Sequence, residues 1–560
     1  MALQLDLLVT AERILTLEAD ADGQPRVATR MGLMGDRIVG FDADLDGLEA
    51  RRTEEFPGRT IVPGFIDAHC HTTWWGLGLN GAPVGEARGL DEFYEVLRAE
   101  VAKLGDDEDA WVYGIGFSES HHGGLVPDLA TVDEITGTRP MYIRNASGHS
   151  ALANTATLRR IGAFEPGFQD PEGGVVVRDA SGAFTGLVEE TAQELLQSLI
   201  LPYPIEQIVA ALDAATLKYA EQGITSFTEA GIGGGWIGHS PVEMAAYQAA
   251  REQGKLHARA QLMPAMDAVV PLTGNDRDFA GSGSAAGLSL GIRTGFGDEQ
   301  LSLGPVKVFT DGSLLGGTAA VTESFCGHDH NVGYLLSSPE ELREQIRCVY
   351  RAGWAIAAHA IGDAAIDLAL DVIEECQNEY GTIHAASGER IPSRIEHFGI
   401  TRQDQVERAG RLGVAVAPQY GFIHTFGELM VSRVGEGRRD LLYRGRSLRD
   451  AGVIVAGSSD SPVVDNNVRR AMQAAVDRRG SDGSVIGSRE GLSREEALRL
   501  YTEWAAEATG QLSNRGTLAV GKLADFVVLD SSPLEAEDLG ALEVLATFVG
   551  GAATFDARTS

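Results

Sequence analysis

Eight short apolar runs, separated by amphipathic helical stretches, recur through the middle of this chain and constrain its fold more than any other feature. They lie at residues 61–71, 223–229, 256–263, 305–311, 354–359, 394–398, 414–418 and 453–460. The helical pattern between them is regular. In 205–222, Ile208, Leu212, Ala215 and Tyr219 share one face, and in 363–380 Ile366, Leu370 and Ile373 do the same. Strands that alternate with helices predict an α/β fold with a parallel sheet. Eight of them predict a (β/α)8 barrel of the TIM type.

The two ends have a different texture. Short strand-like runs at 5–9, 13–16, 27–34 and 37–41, with Gly35-Asp36 as a hairpin turn, are matched by runs within 516–529 and at 544–549. We therefore expect residues 1–60 and 511–560 to pair into one small β-sandwich domain. The barrel then takes 61–88 and 205–510. The interval between the first and second strands is far longer than one helix needs, so 89–204 reads as an inserted subdomain. Its markers are strand-like runs at 111–117 and 141–144 and a Gly-rich hairpin pattern at 173–182. The Gly-rich stretch 281–297 reads as a mobile loop. A chain of 560 residues exceeds the usual single-core limit, in keeping with several domains.

Charge excludes some partners. With 80 acidic against 46 basic residues, the formal net charge is −34, and nothing neutralises the phosphates of nucleic acid or of anionic membranes. The four cysteines, Cys70, Cys326, Cys348 and Cys376, have no Cys-x-x-Cys spacing and suit a reducing compartment. No run approaches the ~18 apolar residues of a membrane span, and the start lacks a signal-like pattern. The expectation is a cytoplasmic protein acting on a small molecule.

Chemistry gathers at the C-terminal ends of the expected strands, where barrels carry their active sites. The first run ends in His69-Cys70-His71, whose alternation puts the two imidazoles on one face, about 7 Å apart along the strand. The fourth carries Lys307, the fifth ends in His359, the sixth in His397 and the eighth in Asp460. Each has an ordinary structural alternative: the lysine can pair with an acid, a histidine can bond a backbone carbonyl, and Asp460 can cap the next helix. Six such residues at the right strand ends point instead to a shared metal centre.

These residues sit in motifs. They are Val-Pro-Gly-Phe-Ile-Asp-Ala-His-Cys-His at 62–71, Gly-His-Ser-Ala-Leu-Ala-Asn at 148–154, Val-Lys-Val-Phe-Thr-Asp-Gly at 306–312, His-Ala-Ile-Gly-Asp at 359–363 and Arg-Ile-Glu-His at 394–397. A further one, Gly-Thr-Leu-Ala-Val-Gly-Lys-Leu-Ala-Asp, spans 516–525. In them the chain resembles the amidohydrolase superfamily, and within it the amidohydrolase-3 group that includes N-substituted formamide deformylases. The resemblance implies that His69, His71 and Asp460 hold one divalent metal, and that His359 and His397 hold a second. Lys307, N-carboxylated, would bridge them. One or two Zn²⁺ suit this mixture of nitrogen and oxygen donors, with Mn²⁺ or Fe²⁺ as alternatives. The implied reaction is cleavage of a C–N amide bond by metal-activated hydroxide, with Asp460 moving the proton. His149 is a further catalytic candidate, able to orient a substrate carbonyl or to be a structural loop residue. A homodimer follows by analogy alone.

Other residues fit less well. His121-His122 face opposite ways if extended and read as loop residues. His424, Phe422 and Phe426, on an aromatic-rich loop expected after the seventh strand, could line an apolar pocket together with Trp74, Trp75, Phe117 and Trp236. Deamination is the nearest rival reaction. It is disfavoured because deaminases of the superfamily usually lack the bridging lysine and follow the fifth-strand histidine with a glutamate. Esters and lactones remain open as substrates. A non-catalytic scaffold is disfavoured because all six ligands are kept.

Overall fold

The computed structural model describes residues 4–19, 25–118, 122–145, 150–171, 174–235, 237–328 and 330–559. They fall into two compact units, one of Met1–His71, Thr216–Gly238 and Leu256–Ser560, the other of Thr72–Ala215 and His239–Lys255. The chain begins with β1 (Gln4–Ala19), β2 (Pro25–Met34), β3 (Arg37–Phe41) and β4 (Glu49–Pro63). The two runs expected at 5–9 and 13–16 are one continuous strand, and β4 was not foreseen. β1 pairs antiparallel with β2 and parallel with β4, and β2 turns into β3 through Gly35, whose φ of +59° favours glycine.

The first expected run is divided at Gly64. Residues up to Pro63 belong to β4, and β5 (Phe65–Cys70) starts a separate parallel sheet. The break is steric as well as topological. A Cβ on Gly64 would lie 2.1 Å from Thr225 Oγ1 and 2.7 Å from Thr225 Cβ. Gly64→Ala should therefore cost about 1–3 kcal/mol in urea unfolding, with part recovered by adding Thr225→Ala. An unchanged midpoint would contradict this packing.

The second unit contains β6 (Val112–Phe117), β7 (Met141–Asn145), β8 (Ser150–Ala153), β9 (Gly174–Arg178) and β10 (Phe184–Glu190), in the sheet order β6-β7-β8-β10-β9. The expected hairpin near 173–182 is the β9–β10 pair. A core of Phe93, Leu97, Val112, Phe117, Val132, Met141 and Ile143 backs one face.

The first unit continues with β11 (Ile224–Ile232) and β12 (Arg259–Pro264). Then comes an antiparallel pair, β13 (Val270–Thr273) and β14 (Ser284–Gly287), followed by β15 (Leu301–Leu303) and β16 (Val306–Phe309). The 281–297 stretch is thus not simply a loop, since β14 pairs within it. β17 (Ile356–Ala360), β18 (Arg394–His397), β19 (Ala415–Ala417) and β20 (Ile454–Val455) complete the series. Every pairing in the two sheets β15-β12-β11-β5 and β16-β17-β18-β19-β20 is parallel.

Backbone bonds link these two sheets at both margins. On one side Ala265, directly after β12, bridges Lys307 of β16. On the other, Ala68 N donates to Gly457 O (3.2 Å) and Asp460 N to His69 O (2.8 Å). The fourth expected run is β16; β15, on the other side of Gly304-Pro305, was not foreseen, and the two stay separate because proline has no N–H to continue a ladder. The helix Asp363–Tyr380 matches its expected bounds and buries Ile366, Leu370 and Ile373.

The chain ends in β21 (Phe526–Leu529), β22 (Val544–Val549) and β23 (Ala552–Asp556). They join the N-terminal strands in one seven-stranded sheet, β23-β22-β21-β4-β1-β2-β3. Its β3 edge bonds residues ahead of β21, with Ile38 N donating to Lys522 O (3.0 Å) and Gly521 N to Ile38 O (2.8 Å). Val9, Ile14, Met31, Ile61, Phe526 and Phe548 fill the core it encloses. Among the described residues no helix is long and apolar enough to cross a membrane.

Candidate active site

β5 delivers His69 and His71 to one side, with ring centroids 5.4 Å apart, and sends Cys70 the other way, its Sγ 3.5 Å from Thr228 O. Asp460 meets both imidazoles. Its Oδ1 lies 3.3 Å from His69 Nε2 and 3.1 Å from His71 Nε2. Asp460 has φ +58°, a left-handed conformation that aspartate tolerates better than most residues. Asp67 braces that turn. Its carboxylate accepts from Ser459 N (3.0 Å), Ser459 Oγ (2.6 Å) and His69 N (3.3 Å), tying the end of β5 to the segment carrying Asp460. Burial pushes the Asp67 carboxyl up to about 6, against those bonds.

The far side of His69 explains its orientation. Nδ1 is 2.5 Å from Glu396 Oε2, and Glu396 is held by Arg394 through bonds of 2.8 and 2.7 Å. All three side chains are fully buried. Burial alone would raise the Glu396 carboxyl, but Arg394 and His69 hold it well below the usual carboxylate range. With the proton of His69 fixed on Nδ1, its Nε2 lone pair faces Asp460. A ligating histidine backed by a carboxylate is the usual outer support of a metal site. One donor atom from each of His69, His71 and Asp460 lies within 4.8 Å of the others, so the trio could hold a metal ion.

The remaining three candidates adjoin this trio. Lys307 is buried, with Nζ 3.5 Å from His69 Nε2 and 4.8 Å from the Phe309 ring centroid. Burial brings its amine down to about 8. The His397 ring is 5.1 Å from that of His69 and 4.4 Å from that of His359. His397 Nδ1 faces Gln419 Oε1 at 2.8 Å, while Gln419 Nε2 donates to Ala417 O and Ser458 Oγ. That bonding orients the amide, so Nδ1 carries the His397 proton and Nε2 is left as the donor. His359 Nε2 lies 3.2 Å from Gly312 O and 3.5 Å from Asp311 Oδ1. The buried Asp311 accepts from Ala320 N, Ile361 N and Gly362 N, clamping two loops beside His359.

Protonation suits ligation. Burial, ahead of every other cause, lowers His71 to about 4 and His397 to about 3, and puts His359 well below its ordinary value. All three present neutral rings near pH 7, the form that binds metals. Burial would raise Asp460, but the adjacent imidazoles of His69 and His71 bring it well below the usual range. In metal-free protein, ¹⁵N shifts of His71 should remain those of a neutral ring down to pH about 5, with a midpoint near 4. A midpoint near 6.5 would contradict this burial.

The structure thus brings together His69, His71, Lys307, His359, His397 and Asp460. It does not report on His149, which lies outside the described residues with His121 and Trp236. His122 is buried and stacks on Phe117 at 5.1 Å. Trp74 carries the Arg144 guanidinium 4.1 Å above its ring. His424 is not on a loop, as expected, but within the helix Tyr420–Val434. Sequence reading missed Glu396, Arg394, Asp67 and Gln419. For Glu396 a signal existed, since a charged pair in a strand as short as Arg394–His397 must find partners inside.

A model described as the amidohydrolase family matches residues 57–555. The chain is 30% identical over 563 residues to the protein LONG AFTER FAR-RED 3 of Arabidopsis thaliana, covering 98% of this chain and 91% of that one. It is 29% identical over 567 residues to an N-substituted formamide deformylase of Arthrobacter pascens, covering 98% of each. Among solved structures, an uncharacterized metal-dependent hydrolase from Pyrococcus horikoshii OT3 aligns with a TM-score of 0.74 at 23% identity. That alignment covers 96% of this chain and 99% of the other, a likeness of fold.

Proposed function

The chain belongs to the amidohydrolase family and is a hydrolase acting on carbon–nitrogen bonds; from that premise we propose that it cleaves the amide bond of an N-acyl or N-formyl amine at a divalent metal centre. The observation that carries this reading is the convergence of His69 Nε2, His71 Nε2 and Asp460 Oδ1, with Glu396 fixing the tautomer of His69. His359 and His397 would hold a second ion. Lys307, as a carbamate, would add oxygen donors to the same centre. A lysine whose amine is brought down to about 8 has a larger unprotonated fraction than an exposed one, and the free amine is the form that adds CO₂. Carbamate formation also replaces a buried cation by an anion with two oxygen donors. We read the two parallel sheets as one closed barrel of eight strands, β15 and β16 counting as one interrupted at Gly304-Pro305, with the end sheet as a small sandwich.

Zinc is the ion best suited to these donors, with manganese or iron next, and when bound it would supply Lewis acidity that acidifies water and polarises the scissile carbonyl. The chain's own part is proton handling. Asp460 takes a proton from the attacking water as the new C–O bond forms, and passes it to the nitrogen as the C–N bond breaks. The product nitrogen then leaves as an amine rather than as a high-energy anion. The name of the Arthrobacter relative makes N-substituted formamides the first substrates to test.

The test is elemental analysis joined to a hydrolysis screen of N-formyl amines, N-acyl amino acids and aryl amides. We expect up to two divalent ions per chain, amine release from at least one class, and loss of that release on chelation. Native mass spectrometry should show CO₂ added to the wild type and absent from Lys307→Met. Metal-loaded protein that releases no amine from any of these classes would rule the reaction out.

A further inference from the structure

Three residues at or packed beside the end of the sixth strand have a strained backbone, and one of them carries a phenol. His397 has φ +70°, Phe398 φ +48° and Tyr443 φ +42°, a region that bulky L-residues rarely occupy. Such a conformation is unfavourable and persists only where its surroundings enforce it. Here the enforcement is visible. Tyr443 N donates to Gly399 O (2.9 Å), and Thr401 N donates to Leu441 O (3.1 Å). The fully buried Arg478 donates to the carbonyls of both Leu442 and Tyr443, each at 2.7 Å. Several groups are thus spent on holding one tyrosine in an unfavourable backbone state.

The ring they hold is 1% exposed and packs edge-on against Phe422, with centroids 5.7 Å apart. It also lies over Gly399, two residues past His397, where a Cβ would come 3.5 Å from Tyr443 Cζ. Burial first, and then the negative charges of Asp460 and Asp311, hold the phenol in its protonated form. Among the described residues none hydrogen-bonds its hydroxyl. The hydroxyl oxygen is not among the fully buried polar atoms left without a partner, so it keeps access to a ligand, whereas a tyrosine this buried normally spends its O–H on the protein itself.

We propose that Tyr443 is a catalytic residue whose hydroxyl donates a hydrogen bond to the carbonyl oxygen of the substrate, strengthening as that oxygen gains negative charge. The inference rests on the proposed reaction and adds a group to it. A phenol is protonated at neutral pH, so it is a ready donor. The strained, doubly anchored backbone means it need not reorganise as charge develops, which is where such donors gain their effect. Arg478 acts through Tyr443 and is a positioning residue.

The experiment compares metal-loaded wild type and Tyr443→Phe on the fastest amide from the screen, or on an aryl ester if no amide is cleaved. We expect kcat to fall about 10²-fold, with KM within about twofold, and with unchanged metal content and unfolding midpoint. A second readout needs no turnover. Acetohydroxamic acid, which presents a carbonyl oxygen, should bind Tyr443→Phe about tenfold more weakly by calorimetry. Equal kcat on either substrate class overturns the role of Tyr443 and leaves the metal assignment standing. Absence of any hydrolysis by the loaded wild type overturns the reaction instead. Equal hydroxamate affinities, or no binding to either protein, would then decide against Tyr443 as well.

Discussion

Asp460→Asn should lower kcat by about 10³-fold while the protein keeps its metal and its fold. The variant retains Oδ1 as a neutral ligand to the place where His69 and His71 converge. Asparagine also tolerates the left-handed backbone at this position as well as aspartate does, so the turn at φ +58° should survive. What it loses is the negative charge that takes a proton from water and gives it to the departing nitrogen. The fall should appear in kcat, and the acidic limb of the pH profile should vanish with the titrating group. Metal content measured on the same sample separates a chemical defect from a binding one. More than about a tenth of wild-type activity would place the proton carrier elsewhere.

Glu396→Ala should be the most damaging change outside the ligand set. It strands the guanidinium of Arg394, fully buried, with Ala68 O at 2.7 Å as the acceptor left to it. Removing one partner of a buried ion pair costs about 3–5 kcal/mol, far more than the pair contributes relative to apolar packing. The change also frees His69 to switch tautomer, which should weaken metal binding about 10–100-fold. The two effects can be separated. Arg394→Met with Glu396→Leu removes both charges and should recover much of the stability in urea unfolding, but not the metal affinity. A double variant that recovers both would reduce the Arg394–Glu396 pair to a structural role.

The strands were legible because Ile, Val and Ala runs between amphipathic helices admit few other arrangements. Their limits were less so. The split at Gly64 depends on the contact with Thr225, which no local pattern announces. β4 was overlooked because Arg51, Arg52, Glu54 and Glu55 give it a polar stretch with no alternation to read. At the site, the histidines, Lys307 and Asp460 could be named because they fall at strand ends. Glu396 and His397 could not be linked, since alternation sends adjacent residues to opposite faces. The positive φ at His397 is what lets Glu396 bond His69 while the His397 ring lies 5.1 Å from that same imidazole. Tyr443 follows no motif and is marked out only by its backbone and its neighbours.

A crystal structure of the protein grown with zinc, with anomalous data collected at the metal edge, would show whether the histidine cluster binds metal. Ions are expected only within the cluster. One should contact His69, His71 and Asp460, the other His359 and His397, with Lys307 carrying an added carboxyl between them. Ions bound only away from these residues, or a Lys307 amine left bare with the cluster metal-free at saturating zinc, would contradict the metal assignment.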